Sequence, residues 1–278
     1  MPTDSTDPTD TDLILTWNAA LDALVALCEP LTPEQWAMQT PCPGWSVADV
    51  VAHTIDTEAF VGGLPRPEHT PDWDDLPHAT GDFGRFTEVG VDARRGRAQD
   101  EVLAELRAIV ALRCAQLDAL EPGAEVPGLI GKPVPLSRML RTRIFDIWVH
   151  EQDIRSAVGI DGGWNSRAAG VAFQQIVSAL PYIWARNAKA PVGSTLLVAI
   201  IGPGLHHEVC VTVDEAGRGV AIPVQADPDV QMNIMWAALV QLACGRVGPD
   251  DPSLVDRVEL RGDPALASAL LAGMTITP

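Results

Sequence analysis

The segment from Leu136 to Val158, LSRMLRTRIFDIWVHEQDIRSAV, predicts a long helix that carries candidate metal ligands. Its apolar residues recur at the spacing of one helical face; they are Met139, Leu140, Ile144, Ile147, Trp148 and Ile154. Asp146 and His150 are four residues apart, and positions i and i+4 lie on the same side of a helix. A carboxylate and an imidazole in this arrangement can hold one divalent cation, although the same spacing also occurs as a helix-stabilising contact.

A further histidine, His53, lies in an earlier segment that also predicts a helix. Ser46 and Asp49 form the S-x-x-D pattern of a capping box, which indicates that this helix starts at Ser46. A histidine from this helix would complete three ligands and leave one position open, as catalytic zinc requires. A single histidine on a helix face is more often an ordinary core or surface residue, so the residues alone leave both interpretations open.

Four amphipathic segments predict a four-helix bundle, a fold that builds metal sites from facing helices. They cover about residues 12–29, 46–60, 99–120 and 136–158. Residues 62–98 are rich in proline and glycine, and they predict a partly ordered loop over one end of the bundle. This loop contains His69 and His78, which are either exposed histidines, the commoner case, or additional groups above the metal.

The pattern changes in the last third of the chain, where a helix at 166–187 is followed by short β-rich runs. The predicted strands cover 195–201, 208–213, 220–224 and 257–260, and the predicted helices cover 227–244 and 263–271. Strands gathered after a helical region indicate an α+β module with a mainly antiparallel sheet. The predicted organisation is a disordered segment at 1–10, a helical bundle at 11–187 and a smaller α+β domain at 191–278.

Composition narrows the classes of partner. The formal net charge of −18 argues against nucleic acid and anionic membranes, because both are bound by clustered Lys and Arg. The five cysteines include no C-x-x-C pair, which is typical of a reducing compartment. No apolar run approaches the roughly 18–20 residues of a transmembrane helix, and the first residues lack the features of a signal peptide. We therefore expect a cytoplasmic protein, with its oligomeric state left open.

Two segments of the chain resemble the mycothiol-dependent maleylpyruvate isomerase family. The first is TPCPGWSV at residues 40–47, continuing to His53, and the second is WVHEQDIR at residues 148–155. The resemblance extends over nearly the whole chain. It implies a DinB-like metal-binding four-helix bundle followed by an α+β domain similar to sterol carrier proteins. These motifs are typical of the superfamily and do not select one reaction.

The same resemblance implies that His53, Asp146 and His150 hold a divalent metal, for which zinc is the expected ion. One position departs from the family pattern, because a Glu usually stands where this chain has Asp146. Aspartate is shorter by one methylene, so the helices must approach or the carboxylate must bind differently. This change could weaken zinc binding or favour nickel, iron or manganese.

Three further residues near these motifs are candidates for supporting roles. Arg143 precedes Asp146 by three positions and could orient a carboxylate or bind an anionic substrate, although a surface salt bridge fits equally well. Asp153 could accept a hydrogen bond from His150, or it could be exposed to solvent or paired with Arg155 or Arg143. Arg246 follows a predicted helix, and the family suggests loosely that it contacts substrate. We take Arg143 and Arg246 as the candidate catalytic residues.

These features predict a metal-dependent enzyme that uses a low-molecular-weight thiol, with mycothiol as the expected cosubstrate. The thiol would act as a nucleophile in isomerisation or S-transfer on a small electrophilic substrate. No G-x-S-x-G, Walker A or convincing G-x-G-x-x-G motif supports another enzyme class. The alternative is a non-enzymatic protein that binds a small ligand or a regulatory partner, with the metal structural or absent.

Overall fold

A computed structural model describes residues 7–129 and 132–277 of the chain. The described residues divide into two compact units, a helical unit at 7–172 and a second unit at 173–277. The predicted disorder at 1–10 lies largely outside the described residues. The predicted bounds of the two domains stay predictions.

The helical unit begins with a long helix, and its longest helix is α6. In chain order its elements are α1 (Asp10–Cys28), α2 (Pro33–Trp36), α3 (Val47–Val61), α4 (Gly81–Asp92), α5 (Gln99–Asp118), β1 (Glu125–Pro127), β2 (Pro133–Pro135) and α6 (Leu136–Val158). A further helix, α7 (Arg167–Tyr182), starts in this unit and ends in the second. The strands β1 and β2 form a short antiparallel hairpin that leads into α6.

The predicted four-helix bundle is confirmed by α1, α3, α5 and α6. Helix α1 packs on α5 and α6, while α3 packs on α5 and α6. The buried face of α1 carries large apolar side chains, among them Leu13, Trp17, Leu21 and Leu24, each at most 1% exposed. By length and composition α1 could also cross a membrane, which the sequence analysis did not expect. Its contacts with α6 and its buried face are those of a core helix.

Residues 62–98 form more structure than the predicted loop. They contain a 3-10 turn at Trp73–Asp75 and the three-turn helix α4, which packs on α3. Gly90 makes the close approach possible, because a Cβ there would lie 1.9 Å from the Cγ of Asp56. Asp56 in turn pairs with Arg66 and Arg94. The prediction was therefore wrong for 81–92, which form a helix although Gly81 and Gly84 were taken as loop signals.

The second unit is a five-stranded sheet with helices. After α7 and a π-helical turn at Ile183–Asn187, its elements are β3 (Thr195–Gly202), β4 (Leu205–Val213), β5 (Gly219–Ile222), β6 (Val230–Met235), α8 (Trp236–Ala243), β7 (Val258–Gly262) and α9 (Pro264–Ala272). The strand order is β5-β4-β3-β6-β7, and every neighbouring pair is antiparallel except β3 and β6. This arrangement confirms the predicted α+β unit with a mainly antiparallel sheet.

The predicted helix at 227–244 is wrong in its first half. Residues 230–235 form the strand β6, and the helix α8 starts only at Trp236. In β6 the buried residues Val230, Met232 and Ile234 alternate with polar ones, which is the period of a strand. The Asp-Pro pair that precedes β6 resembles a helix start and hid this alternation.

Candidate metal centre

His53, Asp146 and His150 come together inside the helical unit. His53 projects from α3, and the other two residues project from α6, where they lie one turn apart. The Nε2 atom of His53 is 3.5 Å from Asp146 Oδ2, and the Nε2 atom of His150 is 3.7 Å from Asp146 Oδ1. One ligand atom from each residue lies within 4.8 Å of the others. Both imidazoles therefore face a single carboxylate.

Two of these groups have pKa shifts that favour the protonation state in which they bind a metal. Burial holds the pKa of His53 below its usual value, although the nearby Asp146 carboxylate acts in the opposite direction. Burial alone would raise the pKa of Asp146, but the charges of Arg143, His150 and His53 hold it well below its usual value. A neutral imidazole and an ionised carboxylate are the forms that ligate a metal.

The orientation of His150 is set by Asp153. The Nδ1 atom of His150 is 3.0 Å from Asp153 Oδ2, and Asp153 is 4% exposed. An ionised carboxylate only accepts hydrogen bonds, so an ionised Asp153 would take the Nδ1–H of a neutral His150 and direct the lone pair of Nε2 towards Asp146. The prediction that Asp153 accepts from His150 agrees with this geometry, and the alternative of a solvent-exposed Asp153 is wrong.

Arg143 is buried between two carboxylates. Its Nε donates to Glu58 Oε1 at 2.8 Å, and its Nη1 donates to Asp146 Oδ2 at 2.9 Å. The side chain of Arg143 is only 2% exposed, so the contact with Asp146 is not a surface salt bridge. The structure thus connects Arg143 to the candidate ligand, while its predicted role in catalysis stays a prediction.

The loop before α3 supplies one wall of the centre. A capping box fixes the junction between this loop and α3. In it the backbone N of Asp49 donates to Ser46 Oγ at 3.3 Å, and the backbone N of Ser46 donates to Asp49 Oδ2 at 2.8 Å. The ring of Trp45 lies 4.8 Å from the ring of His53 and 5.9 Å from that of His150. A buried indole at this distance limits the access of water to both imidazoles.

Glu88 on α4 holds Trp45 in this position. The Nε1 of Trp45 donates to Glu88 Oε2 at 2.8 Å, and Glu88 is 1% exposed. The Nε2 of His78 is 3.1 Å from the same oxygen. Glu88 was not a candidate from the sequence, because its segment was interpreted as a loop. His69 pairs with Asp92 instead, and neither loop histidine belongs to the three-residue cluster.

Arg246, the other candidate catalytic residue, lies in the second unit just after α8. Its Nη1 donates to the carbonyl oxygen of Cys244 at 2.8 Å. Its predicted contact with substrate stays a prediction.

Comparison with known proteins identifies similar sequences and folds. Residues 17–155 match the family described as "Mycothiol maleylpyruvate isomerase N-terminal domain". An uncharacterized protein of Mycobacterium tuberculosis, found in strains CDC 1551 and H37Rv, is 25% identical over 183 residues, which are 66% of this chain and 69% of that protein.

Two crystal structures share the fold over most of the chain. They are those of the mycothiol-dependent maleylpyruvate isomerase and of a histidine-to-alanine mutant, with TM-scores of 0.55 and 0.56. Each is 17% identical and covers 94% of this chain and 95% of its own. A sterol carrier protein 2-like protein of Aedes aegypti matches 37% of the chain at a TM-score of 0.30, which is too low to support a conclusion.

Proposed function

Because the chain belongs to the mycothiol maleylpyruvate isomerase family, we propose that it is a metal-dependent isomerase that uses mycothiol as its nucleophilic cosubstrate. The observation that carries the proposal is the cluster of His53, Asp146 and His150, with one donor atom from each within 4.8 Å of the others. Two imidazoles and one carboxylate from the protein, with a further position open, are the donor set of catalytic zinc.

The unsatisfied imidazole groups fit a bound cation. Both Nε2 atoms are at least 3.5 Å from the nearest oxygen of Asp146, which is beyond the ~2.7–3.2 Å of an ordinary N–H···O hydrogen bond. The Nδ1 of His53 is also buried without a hydrogen-bond partner among the described residues. Since buried polar groups are normally paired, the two Nε2 atoms lack a partner for their lone pairs, and a cation between them and Asp146 would supply one.

A divalent ion held by these three residues would stabilise the cosubstrate sulfur as a thiolate at neutral pH. We propose zinc, and the shorter carboxylate of Asp146 makes nickel, iron and manganese the alternatives to test. The side chain of Asp146 is 28% exposed, whereas those of His53 and His150 are 8% and 7% exposed. Solvent therefore reaches the cluster at Asp146, and we infer that the thiol approaches there.

The proposed reaction is cis–trans isomerisation of a small electrophile with an activated double bond. The sulfur of the thiol adds to one alkene carbon, and the former double bond then rotates as a single bond. Elimination breaks the carbon–sulfur bond, forms the other geometric isomer and returns the thiol unchanged. If the adduct were retained, the same addition would give S-transfer, which would consume one thiol per turnover.

Metal analysis and a thiol-dependent assay test this proposal. We expect about one divalent ion per chain in the purified protein and none in His150→Ala, with the bundle still folded. His69→Ala is the matched control, because His69 pairs with Asp92 outside the cluster and should leave the metal content unchanged. Full metal occupancy in His150→Ala would refute the ligand assignment.

The thiol is tested separately on cobalt-substituted protein. Adding mycothiol should produce a sulfur-to-metal charge-transfer band near neutral pH, and the band should be absent in His53→Ala. A screen of electrophiles with and without mycothiol then distinguishes isomerisation from S-transfer. If cobalt binds but mycothiol leaves the spectrum and the turnover unchanged, the thiol proposal fails and a non-enzymatic binding protein becomes the better interpretation.

A further inference from the structure

We propose that Glu58 is a positioning residue of the metal centre, which acts on Asp146 through Arg143. This inference rests on the proposed metal binding and assigns the control of ligand strength to a residue that does not itself contact the metal. The three side chains form a continuous chain of contacts, from α3 to α6 and along α6 by one turn.

Glu58 is a fully buried carboxylate that faces hydrogen-bond donors of several other side chains. It is 0% exposed, and its Oε1 accepts from Arg143 Nε at 2.8 Å and from Trp17 Nε1 at 3.3 Å. Its Oε2 is 3.5 Å from the Nε of Arg113. A charge in such an environment is tolerated only when it is paired. Glu58 therefore fixes the guanidinium of Arg143 against α3.

The guanidinium of Arg143 is shared between Glu58 and Asp146. It donates through Nε to the first and through Nη1 to the second, while its Nη2 is buried without a hydrogen-bond partner in the described part of the chain. A planar group that is held at two edges has little freedom to rotate. Its position then determines where the Oδ2 atom of Asp146 lies.

Charge balance gives Glu58 a second effect on the centre. Arg143 is a cation in contact with a proposed ligand, so it competes with a metal ion for the charge of Asp146. Glu58 offsets the charge of Arg143, which weakens this competition. Without Glu58, Asp146 would be the remaining carboxylate among the described ion-pair partners of Arg143. The metal affinity should then fall.

The chain contains a matched control on the same helix. Asp56 is also a buried carboxylate of α3 and pairs with two arginines, Arg66 and Arg94. These partners lead to α4 and α5 and not to the three-residue cluster. Asp56→Asn and Glu58→Gln each remove one buried charge that faces two arginines, but only the second change reaches Asp146.

The test measures cobalt affinity by competition with a chelator, and the unfolding of each metal-free variant. We expect Glu58→Gln to bind cobalt about tenfold or more weakly, the range for residues that orient metal ligands. Asp56→Asn should lose stability but keep its cobalt affinity. If Glu58 acts only through Arg143, the double variant Glu58→Gln/Arg143→Gln should lose no more cobalt affinity than Arg143→Gln alone. Additive losses would mean that Glu58 acts independently of Arg143 and would overturn the inference.

Each outcome distinguishes the inference from the proposed function. If the wild type binds no cobalt, both are overturned. If it binds cobalt and Glu58→Gln binds equally well, or Asp56→Asn loses as much affinity, only the role of Glu58 is overturned. Should Glu58→Gln not fold, Arg143→Lys decides, because an ammonium keeps the charge but cannot bridge both carboxylates as a guanidinium does. A drop of about tenfold supports the inference, and an unchanged affinity overturns it.

Discussion

Replacing Gly90 by alanine tests how closely α4 packs on α3. A Cβ at this position would lie 1.9 Å from Cγ of Asp56 and 2.2 and 2.3 Å from its two oxygens. To restore ordinary contact, the helices must separate by about 1.5 Å, or the Asp56 carboxylate must rotate away, because a packed interior has no spare volume.

Both responses cost more than the substitution gains. Rotation of the carboxylate breaks its contacts of 2.8 Å with Arg66 and 3.4 Å with Arg94, and disrupting a buried ion pair costs about 3–5 kcal/mol. Separation of the helices is an overpacking effect of about 1–3 kcal/mol. Alanine gains at most ~1 kcal/mol over glycine in a helix. We therefore expect Gly90→Ala to lower the free energy of unfolding by about 1–2 kcal/mol.

Urea unfolding followed by circular dichroism measures this difference. Gly84→Ala is the control in the same helix, because a Cβ there would meet only the backbone of Ala79, at 3.7 Å, which is ordinary contact. Alanine at Gly84 should raise the free energy of unfolding by about 0.5–1 kcal/mol. If both variants were equally stable, α4 would not pack on α3 through Gly90, and the contact that anchors 81–92 would be refuted.

Further predictions concern the ligand, the loop before α3 and a buried thiol. Asp146→Glu should retain or strengthen zinc binding, since it restores the family's usual ligand; a tenfold loss in competitive chelation, about 1.4 kcal/mol, would contradict this. Gly44→Ala should lower the free energy of unfolding in urea more than Gly96→Ala, because both glycines have φ near +75° but only at position 44 would the new Cβ clash, 2.3 Å from Cγ of His78. Burial raises the pKa of Cys28 to about 12, so alkylation of native protein at pH 8 should be slower by about a thousandfold than for an unperturbed thiol, and rapid labelling would disprove the burial.

Patterns that depend on neighbours in sequence were the predictable part of the fold. The helix α6 has the predicted bounds, 136–158, because its apolar spacing is regular and no glycine interrupts it before Gly159. The capping box of Ser46 and Asp49 is local too, and it determines the start of α3. The errors at 81–92 and 230–235 arose where a local signal competed with packing. Glycine in α4 serves a close helix contact, and the Asp-Pro pair precedes a strand whose pairing with β3 is non-local.

The candidate site also has a part that local sequence predicts and a part that depends on contacts distant in sequence. The spacing of Asp146 and His150, together with the family motif at His53, was enough to predict the three-residue cluster. Glu58 and Glu88 could not be predicted, because their burial depends on Arg143 and Trp45, which lie 85 and 43 residues away in sequence. A glutamate in an amphipathic helix is ordinarily exposed, and no local pattern distinguishes one that will be buried.

The positions of the proposed metal ligands depend on a single helix contact. Asp146 and His150 share α6, so their separation is determined by helix geometry, whereas His53 reaches them only through the packing of α3 on α6. Glu58 lies on α3 and contacts Arg143 on α6, so the same packing that sets the position of His53 also holds the carboxylate of Asp146. A displacement of α3 would therefore change both sides of the cluster together. This coupling would let the shorter carboxylate of Asp146 serve as a ligand, since Arg143 holds Asp146 from its own helix while the packing of α3 brings His53 to it.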